Sequence, residues 1–464
     1  MCQSFGRVVE SVDKSVKLDS AQKGALPKGK TRKDLNESIH YTDHNGETHE
    51  GVYAVLEIFR KTWYGKVAYR LSQKPLVGKL FEVIYSIVSN NRKFLSAQYF
   101  SPANLAKNIA TIGLLAGIAA SWRLWFAPDD FPSLPYIESM ALPASVNLVL
   151  SGVVVVSLLA SLFSKKYTSH FSIASVVIFL AISFTDQTHL QPWAYMYAWI
   201  IGMVSIRNIL KLSASNTLSV LRLMLGWIYV WSGSFKINPD FPDVFAWMLG
   251  PIAELNPAND EIITAAITVG LLELLMGAVL LVRKTSRIAV VGLSAMHISI
   301  LYLIGPFGLD WNAVVWPWNM IMILLLFAVG WPKYQTGLKD LFAKERATFA
   351  VVSVGFILLP LLGHFGRWDT YLSFSLYSGN VSEGAVQPAS GEHLKAYGFE
   401  RRITVSNVAT HEVGVPSYPE ERVLRAYFKD RCELNDSSEL FYTRKTHILE
   451  PEREFYRIDC YSVL

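Results

Sequence analysis

The residues best suited to chemistry are one isolated lysine and two ionisable groups inside apolar stretches. Lys236 ends an apolar stretch and is followed by a loop rich in proline, aspartate and asparagine. Glu273 and His297 lie near the middle of two later apolar stretches. Ionisable groups in lipid are costly unless paired or protonated, so they are functional candidates. Desolvation at a dry rim favours the neutral amine of a lysine, which can accept a proton. We therefore predict that the chemistry lies at Lys236, with Glu273 and His297 supporting it from within the bundle.

Each of these groups also has an ordinary structural explanation. Glu273 and His297 are at similar depth, so a hydrogen bond between them could serve only to lock two helices together. Gly270 and Gly277 share the face of Glu273 and would let another helix approach closely. Lys236 could snorkel to water, although the stiff loop that follows it would hold it in place.

Four further residues are candidates for substrate binding: Arg222, Asp310, Trp311 and Asn319. Arg222 is near the inner end of its stretch, where snorkelling is the simpler expectation. Asn319 is equally suited to a hydrogen bond between helices. Several tryptophans near the same rim are expected to anchor the protein at the membrane interface. As the alternative, they could line a binding site for a planar ligand. They are Trp193, Trp247, Trp311, Trp316 and Trp318.

The composition places much of the chain in lipid. Hydrophobic residues make up 51% of the 464 residues and charged residues 17%, below the roughly 25% of soluble domains. The net charge of +5 is modest, no nucleic-acid-binding pattern occurs, and we predict no metal site. Nine apolar stretches are long enough to cross a hydrocarbon core of ~30 Å. They are 105–126, 145–163, 170–186, 193–212, 218–235, 262–282, 288–304, 313–331 and 347–364.

Loop charge predicts the orientation in the membrane. The loops after the second, fourth, sixth and eighth stretches hold Lys165, Lys166, Arg207, Lys211, Arg283, Lys284, Arg287, Lys333, Lys339, Lys344 and Arg346. The loops after the first, third, fifth and seventh hold one basic residue, Lys236. Since basic loops stay inside, we predict an integral membrane protein with a cytoplasmic N-terminus and an extracytoplasmic C-terminal segment.

The two ends of the chain read as small domains. Residues 1–95 predict a soluble α/β domain, with a helix over 5–16, a hairpin around Asn45-Gly46 and a helix over 51–61. Residues 367–464 predict a small antiparallel β domain from period-two runs. Those runs are 402–406, 423–428, 440–444 and 455–461. Cys432 and Cys460 are both in this segment, and a disulfide between them would suit an oxidising compartment.

The N-terminal segment resembles the DCC thiol-disulfide oxidoreductase family. The resemblance rests on residues 1–5, the hairpin, 50–55, 83–86 and Asn91-Arg92. It implies a thioredoxin-like fold with an Asp-x-x-Cys-x-x-Cys motif and a thiol-redox partner. Cys2 matches the second cysteine of that motif. The first strand and first cysteine would then lie upstream of Met1, or else the thiol pair has been lost and Cys2 is inert.

The membrane segment is similar to the vitamin K-dependent carboxylase-like (HTTM) superfamily and to the DoxX group of quinone-linked membrane proteins. The residues concerned are 221–223, 231–236, 271–275, 296–297 and 305–308. The resemblance implies a quinone or a vitamin K-like quinol as cofactor or substrate. It gives the role of a lumen-facing base to Lys236, while His297 matches a family histidine loosely.

Together these features predict a polytopic α-helical membrane protein of about nine helices, with the three domains 1–95, 96–366 and 367–464. The leading hypothesis is a redox or carboxylase-like enzyme in the lipid bilayer, acting on a quinone-type or other lipid-soluble small molecule. The alternatives are a non-catalytic quinone or lipid carrier serving a redox partner, and a transporter with a proton relay at Glu273 and His297. No internal repeat supports the transporter.

Overall fold

The computed structural model describes residues 9, 38–43, 46–60, 62–75, 78–79, 81–82, 85–86, 101–127, 131–164, 166–332, 336–388, 403–434 and 437–462. The chain forms two units, Met1–Ser101 and Pro102–Leu464. Helices dominate the second unit, and small sheets lie in the N-terminal unit and near the C-terminus.

The N-terminal unit contains an antiparallel hairpin followed by helices. Strands β1 (His40–Thr42) and β2 (Thr48–Glu50) pair and lead into α1 (Gly51–Phe59) and α2 (Trp63–Ser72). Gly46 has a φ of +82°, which glycine adopts without steric cost. The predicted hairpin and the helix from Gly51 are confirmed. The predicted helix over 5–16, apart from Val9, lies outside the described residues, as does Cys2. A thioredoxin-like fold is not shown.

Helices of the second unit occupy the nine predicted positions, but fewer satisfy the requirements for crossing a membrane. The nine long helices are α3 (Pro102–Ala120), α5 (Ala144–Phe163), α6 (Thr168–Thr185), α7 (Pro192–Ile209), α8 (Ala214–Phe235), α10 (Asp260–Leu281), α11 (Ser286–Ile304), α12 (Val315–Gly330) and α14 (Arg346–Gly363). Three short helices lie between them: α4 (Trp122–Phe126), α9 (Phe241–Leu249) and α13 (Leu338–Lys344).

Among the described residues, seven helices are long and apolar enough to cross a membrane, and α7 and α12 are not among them. Helix α12 has 16 residues and is therefore about 24 Å long, short of a ~30 Å core. The structure thus supports an integral membrane protein with seven candidate spans, where the apolar stretches alone had predicted nine.

Helix α8 is the central helix of the bundle. In its most apolar window 83% of the residues are buried inside the protein, against 22% to 50% in the other six candidate spans. Lipid-facing helices leave one side uncovered, so this degree of burial means that other helices surround α8. Residues on α8 are therefore shielded from lipid and can be polar if they are paired.

Four glycines bring α8 and α10 into backbone contact. A Cβ added at Gly233 would lie 2.4 Å from the Leu274 nitrogen and 2.6 Å from the Gly270 oxygen. One added at Gly277 would lie 2.8 Å from the Gly226 oxygen. Gly226 thus opposes Gly277 and Gly233 opposes Gly270, seven residues apart on both antiparallel helices. The close approach predicted from Gly270 and Gly277 is confirmed.

We expect Gly233→Ala to lower the thermal unfolding temperature of the detergent-solubilised protein, because the new methyl group collides with backbone atoms that cannot move aside. Overpacking of this kind costs about 1–3 kcal/mol. Gly152→Ala in α5 is the matched control, since a Cβ there meets nothing within 4 Å. Equal unfolding temperatures for the two variants would contradict the glycine contact.

A proline in α14 frees a carbonyl that α8 then uses. Pro360 has no N–H, so the carbonyl oxygen of Phe356 loses its usual intrahelical partner, and the helix takes a π turn over Val354–Leu358. The Trp231 indole N–H donates to this oxygen at 2.7 Å. The hydrogen bond ties α14 to α8 and leaves no unsatisfied carbonyl at this position.

The C-terminal residues 367–464, called the tail below, form a four-stranded antiparallel sheet with two helices. Its elements are β3 (Glu383–Pro388), β4 (Ile403–Thr404), α15 (Val405–Val413), α16 (Glu421–Glu433), β5 (Ser437–Thr443) and β6 (Phe455–Asp459), with strand order β4-β3-β5-β6. Cys432 and Cys460 form a disulfide that joins α16 to the end of β6.

Two of the four predicted tail strands, β5 and β6, are confirmed. The prediction of a strand over 423–428 is wrong, because this run lies within α16. Val423, Leu424, Tyr427 and Phe428 are all buried, and this spacing marks one face of a helix. The predicted strand over 402–406 ends after two residues, where the Thr404 hydroxyl accepts from the Asn407 N–H and caps α15.

Arg422 forms an ion pair within the tail and also joins the tail to the segment that follows α6. Arg422 on α16 donates through both Nη atoms to Asp369 and through Nε to Gln187 at 2.8 Å. The Tyr418 hydroxyl donates to the same carboxylate at 2.9 Å. Burial alone would raise the pKa of Asp369, but the hydrogen bonds and charge of Arg422 outweigh it and hold the pKa below its ordinary value of 3.8.

We expect Asp369→Asn to lower the unfolding temperature near neutral pH, because the amide loses the charge that Arg422 binds. The folded-state pKa of Asp369 is depressed, so its contribution is complete above the ordinary value of 3.8 and is lost as pH falls through the folded value. The difference between wild type and variant should therefore disappear in acid. Thermal unfolding across this pH range measures it, with the exposed Asp310→Asn as control. A difference that persists in acid would contradict the assignment.

Candidate functional site

One face of α8 carries three polar side chains toward its tail-side end. Tyr229, Ser232 and Lys236 lie three and four residues apart, so they share a face. Lys236 is the residue at which α8 ends. The loop beyond it is held by Asn238, whose Nδ2 donates to the carbonyl oxygens of Phe235 and Ser378 at 2.5 and 2.8 Å. The loop predicted after Lys236 is soon interrupted by a helix, because α9 begins at Phe241.

Lys236 points into the bundle and pairs with Glu273 of α10. Its Nζ lies 2.9 Å from Glu273 Oε2 and donates to the Ser232 hydroxyl at 2.9 Å and the Ser232 carbonyl at 3.2 Å. The two side chains are 11% and 7% exposed. Three acceptors satisfy the ammonium group, so Lys236 does not snorkel. The glycine contact explains the pairing, because Lys236 packs against Gly270, one turn from Glu273.

A second set of hydrogen bonds runs through His297. Its Nδ1 lies 2.6 Å from Asn319 Oδ1, and its Nε2 lies 2.6 Å from the Tyr229 hydroxyl. Asn319 Nδ2 donates to the Val315 carbonyl at 2.8 Å, which fixes the orientation of the amide. Asn319 therefore offers only an acceptor to His297, so Nδ1 carries the proton. In this tautomer of the neutral imidazole, Nε2 accepts from the Tyr229 hydroxyl.

The two sets lie close together in the interior of the bundle. Glu273 is within electrostatic range of both Tyr229 and His297. We call Lys236, Glu273, Tyr229, His297 and Asn319 the polar row; its members come from α8, α10, α11 and α12. All five are buried. The row combines one ion pair with one chain of neutral hydrogen bonds, an arrangement that can accept or donate a proton.

The Glu273–His297 hydrogen bond that the sequence allowed does not form. Both imidazole nitrogens are occupied by Tyr229 and Asn319, and Glu273 turns to Lys236 instead. Tyr229 was missed because a tyrosine in an apolar helix looks like an ordinary core residue. Its spacing of seven residues from Lys236 on one helix face is the signal that could have identified it.

The expectation that Arg222 snorkels to the surface is wrong. Arg222 is only 1% exposed, and its Nη1 donates to the carbonyl oxygens of Leu280 and Leu281. These are the last carbonyls of α10, which have no partner within their own helix. A guanidinium at the negative end of a helix is also electrostatically favoured. Arg222 therefore caps α10, away from the polar row.

The other predicted substrate-binding residues lie elsewhere. Asp310 is exposed with a left-handed φ of +50°. Trp311 packs edge-on against Trp247 with ring centroids 5.7 Å apart. Of all the residues proposed from the sequence, only Lys236, Glu273, His297 and Asn319 come together in the polar row.

An aromatic cavity of about 390 Å³ lies between the helix ends and the tail. Four of the five tryptophans expected at this rim line it, together with two tyrosines. These residues are Trp193, Trp247, Trp311, Trp318, Tyr371 and Tyr377. Trp316, the fifth tryptophan, instead donates to the Ile304 carbonyl at 3.3 Å. The cavity is a candidate binding site separate from the members of the polar row.

Within the N-terminal unit, Asp43, Glu47 and His49 bring ligand atoms within 4.8 Å of one another. All three are partly or fully exposed. Acidic residues are common in exposed hairpins without a metal. Asp43 also has a structural role here, because its carboxylate accepts a hydrogen bond from the Glu47 N–H at 2.8 Å. We assign no metal to this cluster.

Comparison with known proteins matches one segment of the chain. Residues 217–306 match the DoxX family. DoxX is a family of membrane proteins, and its match begins in α8 and ends just after α11. The DoxX-matching segment contains Tyr229, Lys236, Glu273 and His297, and leaves out Asn319. No curated protein and no solved structure matches the chain.

We expect Glu273→Gln to destabilise the protein strongly, because it leaves the Lys236 ammonium buried without a counter-charge. Breaking a buried pair from one side costs about 3–5 kcal/mol. The double variant Lys236→Met with Glu273→Gln should be more stable than Glu273→Gln alone. Equilibrium unfolding in mixed micelles measures the free energy of unfolding of the wild type, of Glu273→Gln, of Lys236→Met and of the double variant.

Glu261→Gln is the matched control, since Glu261 lies on the same helix and is exposed. If the double variant were as unstable as the sum of the two single variants, the ion pair would not be the source of the effect.

Proposed function

We propose that this chain is a membrane enzyme that exchanges a proton with a lipid-soluble, planar substrate of the quinone type. The observation that carries the proposal is the polar row. Five buried polar side chains form an ion pair and, beside it, a chain of hydrogen bonds within largely apolar helices. Such groups are costly in a membrane and are generally retained for function. The resemblance to quinone-linked membrane proteins supplies the substrate class.

The geometry changes the role that the sequence suggested for Lys236. A lysine whose ammonium group is paired with a carboxylate and donates to the hydroxyl and the carbonyl of Ser232 is not available as a free base in this state. We assign it instead a fixed positive charge that would stabilise an oxyanion of the substrate. Glu273 balances that charge when no substrate is bound.

The Tyr229–His297 pair is the better base. The tyrosine hydroxyl already donates to His297 Nε2. A substrate hydroxyl that donates to the Tyr229 oxygen could therefore lose its proton as Tyr229 passes its own to the imidazole. Asn319, which accepts from Nδ1–H, would stabilise the imidazolium that forms. In this scheme a quinol passes two electrons to dioxygen and becomes the quinone. The row takes up the first quinol proton and returns it to the reduced oxygen, which receives the second quinol proton directly and leaves as hydrogen peroxide.

A test measures oxidation of menadiol in air by the protein in liposomes, above the rate without protein. We expect Tyr229→Phe and His297→Gln to lower the protein-dependent rate by about 10²-fold or more, the usual contribution of a general base. Tyr302→Phe and His170→Gln are matched controls, because both residues are exposed. Full turnover in Tyr229→Phe and His297→Gln would refute the base, and full turnover in Lys236→Ala would remove the lysine from the mechanism.

A second candidate is a carrier that binds a quinone or lipid without turning it over. It is favoured by the pairing of Lys236 with Glu273 and by the hydrogen bonds from Arg222 Nη1 to backbone carbonyls, which hold both cations in structural contacts. A carrier would bind stoichiometrically and show no protein-dependent oxidation in any variant. The carboxylase-like activity, the thiol chemistry of the N-terminal segment and the orientation in the membrane stay predictions.

A further inference from the structure

We propose that a turn of the tail, residues 447–450, inserts its apolar tip into the lipid bilayer beside the end of α14. The partner is the hydrocarbon surface of the membrane that the helices cross, and Ile448 and Leu449 make the contact. This goes beyond the proposed function, because the turn contains no member of the polar row. The inference rests on the residues at the tip, on the place where the turn is seated, and on the polar groups around it.

The tip of this turn consists of two exposed apolar side chains. His447 and Glu450 pair in both directions, with each N–H donating to the other carbonyl at 3.0 Å, so Ile448 and Leu449 are the two residues between them. Their exposed fractions are 65% and 63%. Glycine, proline, asparagine, aspartate and serine dominate such turn positions. An isoleucine and a leucine side by side in these positions are accounted for if an apolar surface covers them.

The turn is seated at the end of α14, one of the candidate membrane spans. The Ile448 N–H donates at 3.0 Å to the carbonyl oxygen of His364, the residue at which α14 ends. A Cβ added at Gly366 would lie 2.4 Å from the His447 ring, so the turn packs directly on the chain that leaves the helix. The 18 residues of α14 extend about 27 Å, so the helix needs its full length to cross a ~30 Å core. Its end, and with it the turn, therefore lies at the boundary between hydrocarbon and headgroups.

Apolar exposure continues from α14 to the tip. Leu358, Leu361 and Leu362 in the last turns of α14 are 53%, 39% and 40% exposed, as expected of side chains that face lipid. Arg367 and Trp368 follow the helix, and arginine and tryptophan are both favoured at membrane interfaces. The tip thus extends a surface that a membrane-spanning helix presents to lipid. This continuity is the reason for choosing the bilayer, rather than another protein, as the partner.

Both flanks of the turn are anchored, so the tip is held in place. Before the turn, the Thr446 hydroxyl donates to Asp240 Oδ2 at 3.1 Å, and Lys445 Nζ donates to the Trp368 carbonyl at 2.9 Å. After the turn, Arg453 Nη2 lies 3.1 Å from the same Asp240 oxygen. A turn that is already fixed loses little conformational entropy when it enters the bilayer.

Charged groups lie at the base of the turn and not at its tip. His447 Nε2 lies 3.4 Å from a carboxylate oxygen of Glu450, whose side chain is 71% exposed. Such groups can stay among headgroups and water while the two apolar side chains enter the hydrocarbon. Glu450 and Glu452 are both exposed and place negative charge beside the tip. The contact is therefore apolar and needs no anionic lipid.

The test reads lipid contact from a fluorescent label on the full chain in phosphatidylcholine nanodiscs. A nitrobenzoxadiazole label is attached to Leu449→Cys in a Cys2→Ser background; Cys432 and Cys460 are joined in a disulfide and do not react. Nanodiscs are prepared with and without lipid that carries a nitroxide near the top of its acyl chain. We expect blue-shifted emission, strong quenching by the nitroxide lipid and little quenching by iodide in the water.

The same label on Leu434→Cys is the matched control. Leu434 is 57% exposed, similar to Leu449, and follows the last residue of α16. The other end of that helix is the one near the turn, because Glu421 there binds Arg444 at 2.6 Å. We expect the label at Leu434 to be quenched by iodide and not by the nitroxide lipid.

Removal of the apolar tip then tests what holds the turn in the membrane. A label on Glu452→Cys reports on the turn without replacing either tip residue, and we expect the nitroxide lipid to quench it. Introducing Ile448→Ser and Leu449→Ser together should abolish that quenching, and since both side chains are exposed, the change leaves the core of the tail intact. Replacing half of the lipid by anionic phosphatidylglycerol should leave the quenching unchanged.

Equal lipid quenching of the labels at Leu449 and Leu434 would overturn the proposal, as would a label at Leu449 that iodide reaches and the nitroxide lipid does not. A label that neither quencher reaches would also overturn it, because a protein partner or a second copy of the chain would then cover the turn. The assay involves no turnover. If lipid quenching fails while menadiol oxidation persists, only the turn proposal falls; if oxidation fails while quenching persists, only the proposed function does.

Discussion

The backbones of α8 and α10 touch at four glycines, and the polar groups of the interior depend on this contact. Without side chains at Gly233 and Gly270, Lys236 lies over the backbone of α10 and reaches Glu273 one turn away. Charges buried in a bundle of apolar helices are tolerable only when paired at close range. The small residues therefore do more than pack helices together: they set the distance at which a buried lysine and glutamate can neutralise each other.

The same principle operates at the ends of the bundle, where backbone groups are the ones in need of partners. Arg222 supplies donors to the last carbonyls of α10, and Trp231 supplies one to the carbonyl freed by Pro360. In the tail, Arg422 donates hydrogen bonds to both Asp369 and Gln187. In each case one long side chain links segments distant in sequence. These links make the helices from Pro102 onward and the tail a single unit.

The sequence predicted where the helices and their polar residues lie along the chain better than it predicted which side chains those residues contact. Apolar stretches located the helices, and polar residues within them drew attention to Lys236, Glu273 and His297. The pairing was not predictable, because it depends on the antiparallel register of α8 on α10, which no local pattern encodes. Tyr229 resembled an ordinary core residue, because hydropathy does not show that a tyrosine hydroxyl can form hydrogen bonds. The strand predicted over 423–428 shows a similar limit: in so short a run, apolar spacing fits a strand and a helix nearly equally.

The fixed amide of Asn319 has a consequence for how protons can move. His297 can take a proton at Nε2, but the proton at Nδ1 faces an amide oxygen that is far too weak a base to accept it. The hydrogen-bond chain from Tyr229 therefore ends at Asn319. A proton that enters must leave by the way it came. Under the proposed function the row would therefore hold one proton for chemistry on a bound molecule rather than conduct protons across the membrane.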